Sequence, residues 1–174
     1  MTQEIELELT FLAKELPKDI KTAKPTRIID IYIPDTPKHS HLRLRQKGDK
    51  YEMTKKMPIA EGDASEQIEQ TIPLTKDEFV ALSSCSKKRV AKDRYKVKIE
   101  GKIAEIDVFI DELKGLVLID FEFNTIDEKS AFKIPSVALV DVTQEDFIAG
   151  GLLAGKAYND IASELERFNY RRVE

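Results

Sequence analysis

Glu4, Glu6 and Glu8 near the start of the chain, and Asp120 with Glu122 far down it, pose the chemical question. In Glu4-Ile5-Glu6-Leu7-Glu8-Leu9-Thr10-Phe11 the acids alternate with hydrophobes, and Ile119-Asp120-Phe121-Glu122-Phe123 repeats the pattern. Successive side chains of an extended chain point to opposite faces, so each stretch carries a row of carboxylates behind a row of apolar groups. Such a row is either a solvated face or a set of oxygen ligands for a cation. Basic rows answer the acidic ones. His41, Arg43, Arg45 and Lys47 share a face opposite Leu42 and Leu44, while Lys88, Lys92, Arg94, Lys96 and Lys98 share one opposite Ala91, Tyr95, Val97 and Ile99.

Strands must hold these rows. Thr26 to Ile33 is β-rich and is stopped by Pro34-Asp35-Thr36-Pro37, since proline cannot donate to a ladder. His41 to Lys47 turns at Gly48-Asp49 and returns as Tyr51 to Lys56, a hairpin. Glu66 to Ile72 alternates again, with Gln67, Glu69 and Thr71 on one side. Lys88 to Ile99 turns at Gly101-Lys102 into a strand with Glu105, Asp107 and Phe109 on one face, and Leu116 to Phe123 follows. Helices are signalled by capping boxes at Thr75–Glu78 and Thr125–Glu128, and by a third start at Thr143-Gln144-Glu145-Asp146. The tail carries Leu152, Leu153, Tyr158, Ile161, Leu165 and Phe168 at helical spacing, interrupted by Gly155.

About eight strands joined mostly by short turns predict an α+β fold dominated by an eight-stranded antiparallel β-barrel with peripheral helices. The charged faces segregate by sign, acid on the first, seventh and eighth strands and base on the third and sixth. Two arrangements satisfy this: a half-solvated sheet, or charged faces that meet across an enclosed space while the apolar faces pack outward beneath helices.

A chain of 174 residues fits one domain over 1–174, with 151–174 as a helical tail. With 28 basic and 32 acidic residues the net charge is −4, which suggests neither a nucleic-acid nor an anionic-membrane partner, so any anion site must be local. The single Cys85 cannot form an internal disulfide, which suits the cytoplasm, and no leader-like or membrane-spanning run is present in the sequence. Whether the chain forms a homodimer is left open.

The order of these rows resembles the CYTH superfamily, the triphosphate tunnel metalloenzymes, from residue 4 to about 154. Glu6-Leu7-Glu8-Leu9-Thr10-Phe11 is similar to the family's E-x-E-x-K signature, Arg43-Leu44-Arg45 to its R-x-R strand, and Tyr51 to Lys56 to its L-T-x-K strand. Lys92-Asp93-Arg94-Tyr95 resembles K-x-R-Y, Glu105 to Phe109 resembles E-I-D-x-F, and Leu113-Lys114-Gly115-Leu116 resembles the L-x-G-L turn. Asp120 to Phe123 resembles the E-x-E-F strand, and Asp141-Val142-Thr143 a C-terminal E-V-T.

The resemblance implies a tunnel in which basic residues grip a triphosphate, or a polyphosphate, and carboxylates hold Mg2+ or Mn2+. On that mapping Glu6, Glu8, Asp120, Glu122 and Glu69 are the metal candidates, and Arg43, Arg45, Lys56, Lys92 and Arg94 bind phosphate, with Lys56, Arg94 and Glu6 carrying the catalysis. Guanidinium matches phosphate oxygens bidentately, and hard cations prefer oxygen ligands. The implied activity is metal-dependent hydrolysis of tripolyphosphate or a nucleoside triphosphate. A non-catalytic polyphosphate sensor and an adenylyl cyclase are the alternatives. The chain departs from the pattern at Thr10, where the family has lysine, and at Ser65 and Gln67, which fall where R-x-E-x-E places arginine and a carboxylate. Ile148 and Gly150 stand at the family's tyrosine and asparagine positions. Lys47 or Lys96 is expected to compensate if register allows. Lys88, Lys96 and Lys98 are read as solvated, and His39 and His41 as loop residues.

Overall fold

The computed structural model describes residues 3–173. Nine strands form one antiparallel sheet: β1 (Gln3–Ala13), β2 (Thr26–Ile33), β3 (Leu42–Lys47), β4 (Lys50–Pro58), β5 (Glu66–Leu74), β6 (Arg89–Ile99), β7 (Lys102–Phe109), β8 (Val117–Phe123) and β9 (Ala138–Asp141). The order β5-β4-β3-β2-β6-β7-β8-β1 closes on itself because β1 also pairs with β5. The result is a closed eight-stranded antiparallel barrel. β1 achieves this by changing partner along one edge: Gln3 to Leu7 pair with β5, and Phe11 to Ala13 pair with β9.

Closure separates the two faces of every strand. Outward apolar rows are buried under added elements, in keeping with the enclosed-space alternative. Phe11, Ile106, Ile119 and Phe121 pack beneath Ile20 and Phe132, which flank β1 and β8 from outside. Ile31 and Leu44 pack beneath Phe79 of α1 (Lys76–Ser83). Both helix starts read from capping boxes are present: Thr75 and Glu78 cap reciprocally, and Thr125 Oγ1 accepts from the Glu128 amide at the start of α2 (Ile126–Ala131).

The interior rows change character toward one end. On β1 the row Glu6, Glu8, Thr10 ends in Leu12; on β8 Asp120 is preceded by Leu118; on β7 Asp107 is followed by Phe109; on β6 Lys92 is preceded by Val90. These apolar ends cluster with Tyr32, Leu153, Tyr158, Ile161 and Leu165. The tail, as α3 (Gly150–Leu153) and α4 (Tyr158–Glu166), thereby packs against that end of the barrel.

Two readings of local structure need correction. No helix starts at Thr143: its hydroxyl accepts from the Thr10 amide at 3.0 Å and donates to Asp141 at 2.6 Å instead of capping a helix end. A short 3-10 turn at Asp146–Ile148 and α3 follow instead. Lys88 is buried rather than solvated, and its ammonium donates to the Thr36 and Lys38 carbonyls. No helix among the described residues is long and apolar enough to cross a membrane.

Candidate active site

The barrel encloses a cavity of about 490 Å3, lined on its strands by Glu6, Glu8, Asp30, Arg43, Arg45, Lys56, Lys92, Arg94, Asp107, Asp120 and Glu122. Its acidic wall follows from strand register. Glu8 stands across from Glu122, and Asp120 stands between Thr10 on one side and Glu105 on the other. Its basic wall is built from β3, β4 and β6. Lys47 and Lys96, the expected compensating cations, do not line the cavity, and Lys96 pairs with Glu105 at 2.6 Å. Glu69 also lies outside the lining, 3.5 Å from Arg43.

Three of the cations, Arg45, Lys92 and Arg94, are held chiefly by buried acids that sequence reasoning did not put forward as site residues, Asp30 and Asp107. Arg94 Nε and Nη2 each donate to Asp107 at 2.6 Å, its Nη1 contacts Glu105, and Nη2 reaches Asp120 at 3.5 Å. Lys92 donates to the same Asp107 carboxylate. Burial alone would raise the Asp107 carboxyl, but Arg94 and Lys92 outweigh it and hold it well below the usual range. Lys92 is itself shifted down, burial outweighing Asp107. Arg45 is gripped by Asp30 at 2.7 and 2.8 Å. The Lys56 ammonium lies 2.8 Å from Glu6 and 3.4 Å from Glu8 and is shifted up, those acids outweighing its burial. Arg43 is different. Its Nε is the one buried side-chain polar atom without a hydrogen-bond partner among the described residues. The signal for Asp107 was in the sequence, as one of the two same-face acids of Glu105-Ile106-Asp107; Asp30 showed none, set among Ile28, Ile29 and Ile31.

Where the resemblance expected lysine, the Thr10 hydroxyl donates to Asp120 Oδ1 at 2.8 Å. Burial, then Glu8 and Asp107, push the Asp120 carboxyl up to about 7. Glu122 is raised as well, by burial and then by Glu105, Glu6 and Glu8. Crowded oxygens whose burial and mutual repulsion lift two pKa values are donors short of counter-charge, and hard oxygen donors suit Mg2+ or Mn2+. Among the described residues no three acidic, histidine or cysteine side chains already converge into a cation cage. The fit lies in donor chemistry and charge, with side-chain adjustment required. Near Ser65, the position of the absent arginine, Lys129 of α2 donates to Ser65 Oγ at 2.7 Å and to Glu66 at 2.8 Å. Ser65, Glu66 and Lys129 all lie outside the cavity lining, so this cation does not take the place of the absent arginine inside the barrel. His39 and His41 line the cavity, with ring centroids 4.6 Å apart and ring planes tilted by 36°.

A closed eight-stranded antiparallel barrel with a charged interior cavity defines the structural class. Residues 3–134 match the family model described as the CYTH domain, and the chain belongs to that family. It is 34% identical over 142 residues to an inorganic triphosphatase of Nitrosomonas europaea, spanning 80% of this chain and 90% of the relative. An inorganic triphosphatase of Acetivibrio thermocellus is 33% identical over 98 residues, or 56% of this chain and 61% of the relative. Among solved structures, a crystal structure of an inorganic triphosphatase superposes with a TM-score of 0.63 at 28% identity, covering 86% of this chain and 93% of that one.

Proposed function

We propose that this chain hydrolyses a triphosphate, tripolyphosphate or a nucleoside triphosphate, with Mg2+ or Mn2+ as cofactor. The observation that carries the reading is the convergence of Arg43, Arg45, Lys56, Lys92 and Arg94 on one cavity, with the Arg43 Nε buried and unpartnered. Buried donors without acceptors are costly, and a phosphate oxygen supplies the missing acceptor. The relatives named above support the same reaction class.

Metal dependence is supported by charge. Six strand-borne carboxylates line the cavity against five cations, so the protein alone offers no net positive charge to a polyanion. A divalent cation held by Glu6, Glu8, Asp120 and Glu122 would supply the missing charge and lower the pKa of a bound water. The chain's own groups do the rest. Arg43, Arg45 and Lys92 bind and orient the chain of phosphates, while Lys56 and Arg94 stabilise charge on the departing diphosphate as the terminal P–O bond breaks. Glu6, beside Lys56, helps orient the attacking water. Barrel and tail are read as one domain, supported by the tail's burial against the barrel. A cytoplasmic location belongs to the same reading, supported by an exposed, unpaired Cys85. A binding-only sensor is the second reading, favoured by Thr10, which removes a charge from the cavity. Phosphate release from tripolyphosphate and ATP, with Mg2+, with Mn2+ and with chelator, tests the proposal. Metal-dependent release is expected; tight binding without release would select the sensor.

A further inference from the structure

Arg43 and Arg45 lie two residues apart on β3 and face one cavity, yet they are held in opposite ways. Strand register sets Asp30 of β2 directly across from Arg45. Asp30 Oδ1 and Oδ2 accept from Arg45 Nε and Nη2 at 2.7 and 2.8 Å, with the two residues 2% and 8% exposed. The Nε edge of Arg45 is therefore committed, leaving Nη1 and the outer Nη2 hydrogen for a ligand. Arg43 makes a single ion pair among the described residues, a 3.5 Å contact from Nη2 to Glu69, and its buried Nε has no hydrogen-bond partner. Planar guanidinium binds two oxygens of one phosphate when a two-nitrogen edge is open.

Resting on the triphosphate reading above, we propose that Asp30 is a positioning residue: it occupies the Nε edge of Arg45 and aims the remaining Nη1–Nη2 end of the guanidinium at a phosphate. Burial would raise the Asp30 carboxyl, but Arg45 outweighs it and keeps the pair ionised, so the orientation persists across the neutral range. Without Asp30, Arg45 would gain rotamer freedom and lose its aim.

The test is steady-state hydrolysis and calorimetric binding of tripolyphosphate with Mg2+ by the full chain. Asp30→Asn should raise the KM and Kd about tenfold with little change in kcat, the size expected when one charged hydrogen bond is misaligned. Combined with Arg45→Lys, it should add nothing further, because both changes remove the same contact. In the wild-type background Arg45→Lys should raise the KM and Kd by at least as much as Asp30→Asn, since it removes the guanidinium end that Asp30 aims. If Asp30→Asn fails to fold, judged by its melting curve, Asp30→Glu decides: it keeps the charge but displaces the guanidinium, so a raised KM and Kd with kcat kept supports the positioning role and wild-type values overturn it. Additive losses for Asp30→Asn with Arg45→Lys, or an unchanged KM and Kd in Asp30→Asn, would overturn this assignment while leaving the triphosphate reading intact. A wild-type chain that neither binds nor cleaves tripolyphosphate would remove both.

Discussion

Thr10 and Asp120 face each other across β1 and β8, and the Thr10 hydroxyl donates to the Asp120 carboxylate at 2.8 Å. A neutral hydroxyl thus stands beside an acid whose other neighbours include Glu8 and Asp107. The pair couples the chain's departure from its family pattern to the electrostatics of the acidic wall.

Placing a cation at that position should relieve the wall. Thr10→Lys is expected to lower the Asp120 pKa and to reduce the KM for tripolyphosphate about tenfold, the worth of one added charge-assisted hydrogen bond. Titration of the Asp120 carboxyl by NMR and steady-state kinetics check the two effects. An unchanged KM would show that the missing charge is irrelevant to binding.

The metal-free protein should be weakened by Asp120 as pH rises. Its folded pKa of about 7 lies above the ordinary value of 3.8, so the folded state holds the proton more tightly. Stability is then fully present below about pH 4 and is lost as pH climbs through 7. In chelator, Asp120→Asn should melt higher than the wild type at pH 8, by at most a few kcal/mol, with no gain at pH 4. Melting curves across pH decide it, and a constant difference would rule out titration of Asp120 as the cause.

Asp107 should act with the opposite sign. Its pKa is depressed by Arg94 and Lys92 against the pull of burial, so its contribution is present above about pH 4 and disappears as pH falls further. Asp107→Asn leaves Lys92 without its carboxylate partner and Arg94 with only Glu105 and Asp120, and should cost about 3–5 kcal/mol at neutral pH, measured by urea unfolding. The loss should shrink in acid.

The tail's docking should fail when a methyl group is added at Gly151. A Cβ there would meet the Ser40 carbonyl and His39 Cδ2 at 2.6 Å each, and one of these contacts is backbone. Gly151→Ala should destabilise by about 1–3 kcal/mol, the usual cost of overpacking, with hydrogen exchange rising first in α3 and α4.

The eight barrel strands and both capped helices were legible in the sequence because each rests on local chemistry. Alternation reports which side chains share a face, and Thr75 with Glu78 satisfies helix-end amides within four residues. The same locality misled at Thr143, whose hydroxyl was already engaged with Thr10, 133 positions away. Sequence alone therefore determined the rows: Glu6 and Glu8, Arg43 and Arg45, Lys92 and Arg94, Asp120 and Glu122, each on one face of its strand. Tertiary structure decided which rows touch. Strand register placed Asp30 against Arg45, the barrel's closure brought Lys56 to Glu6 and Glu8, and α2 delivered Lys129 to Ser65. Side-chain period is a property of one strand, whereas pairing, burial and the pKa values they shift depend on strands remote in sequence.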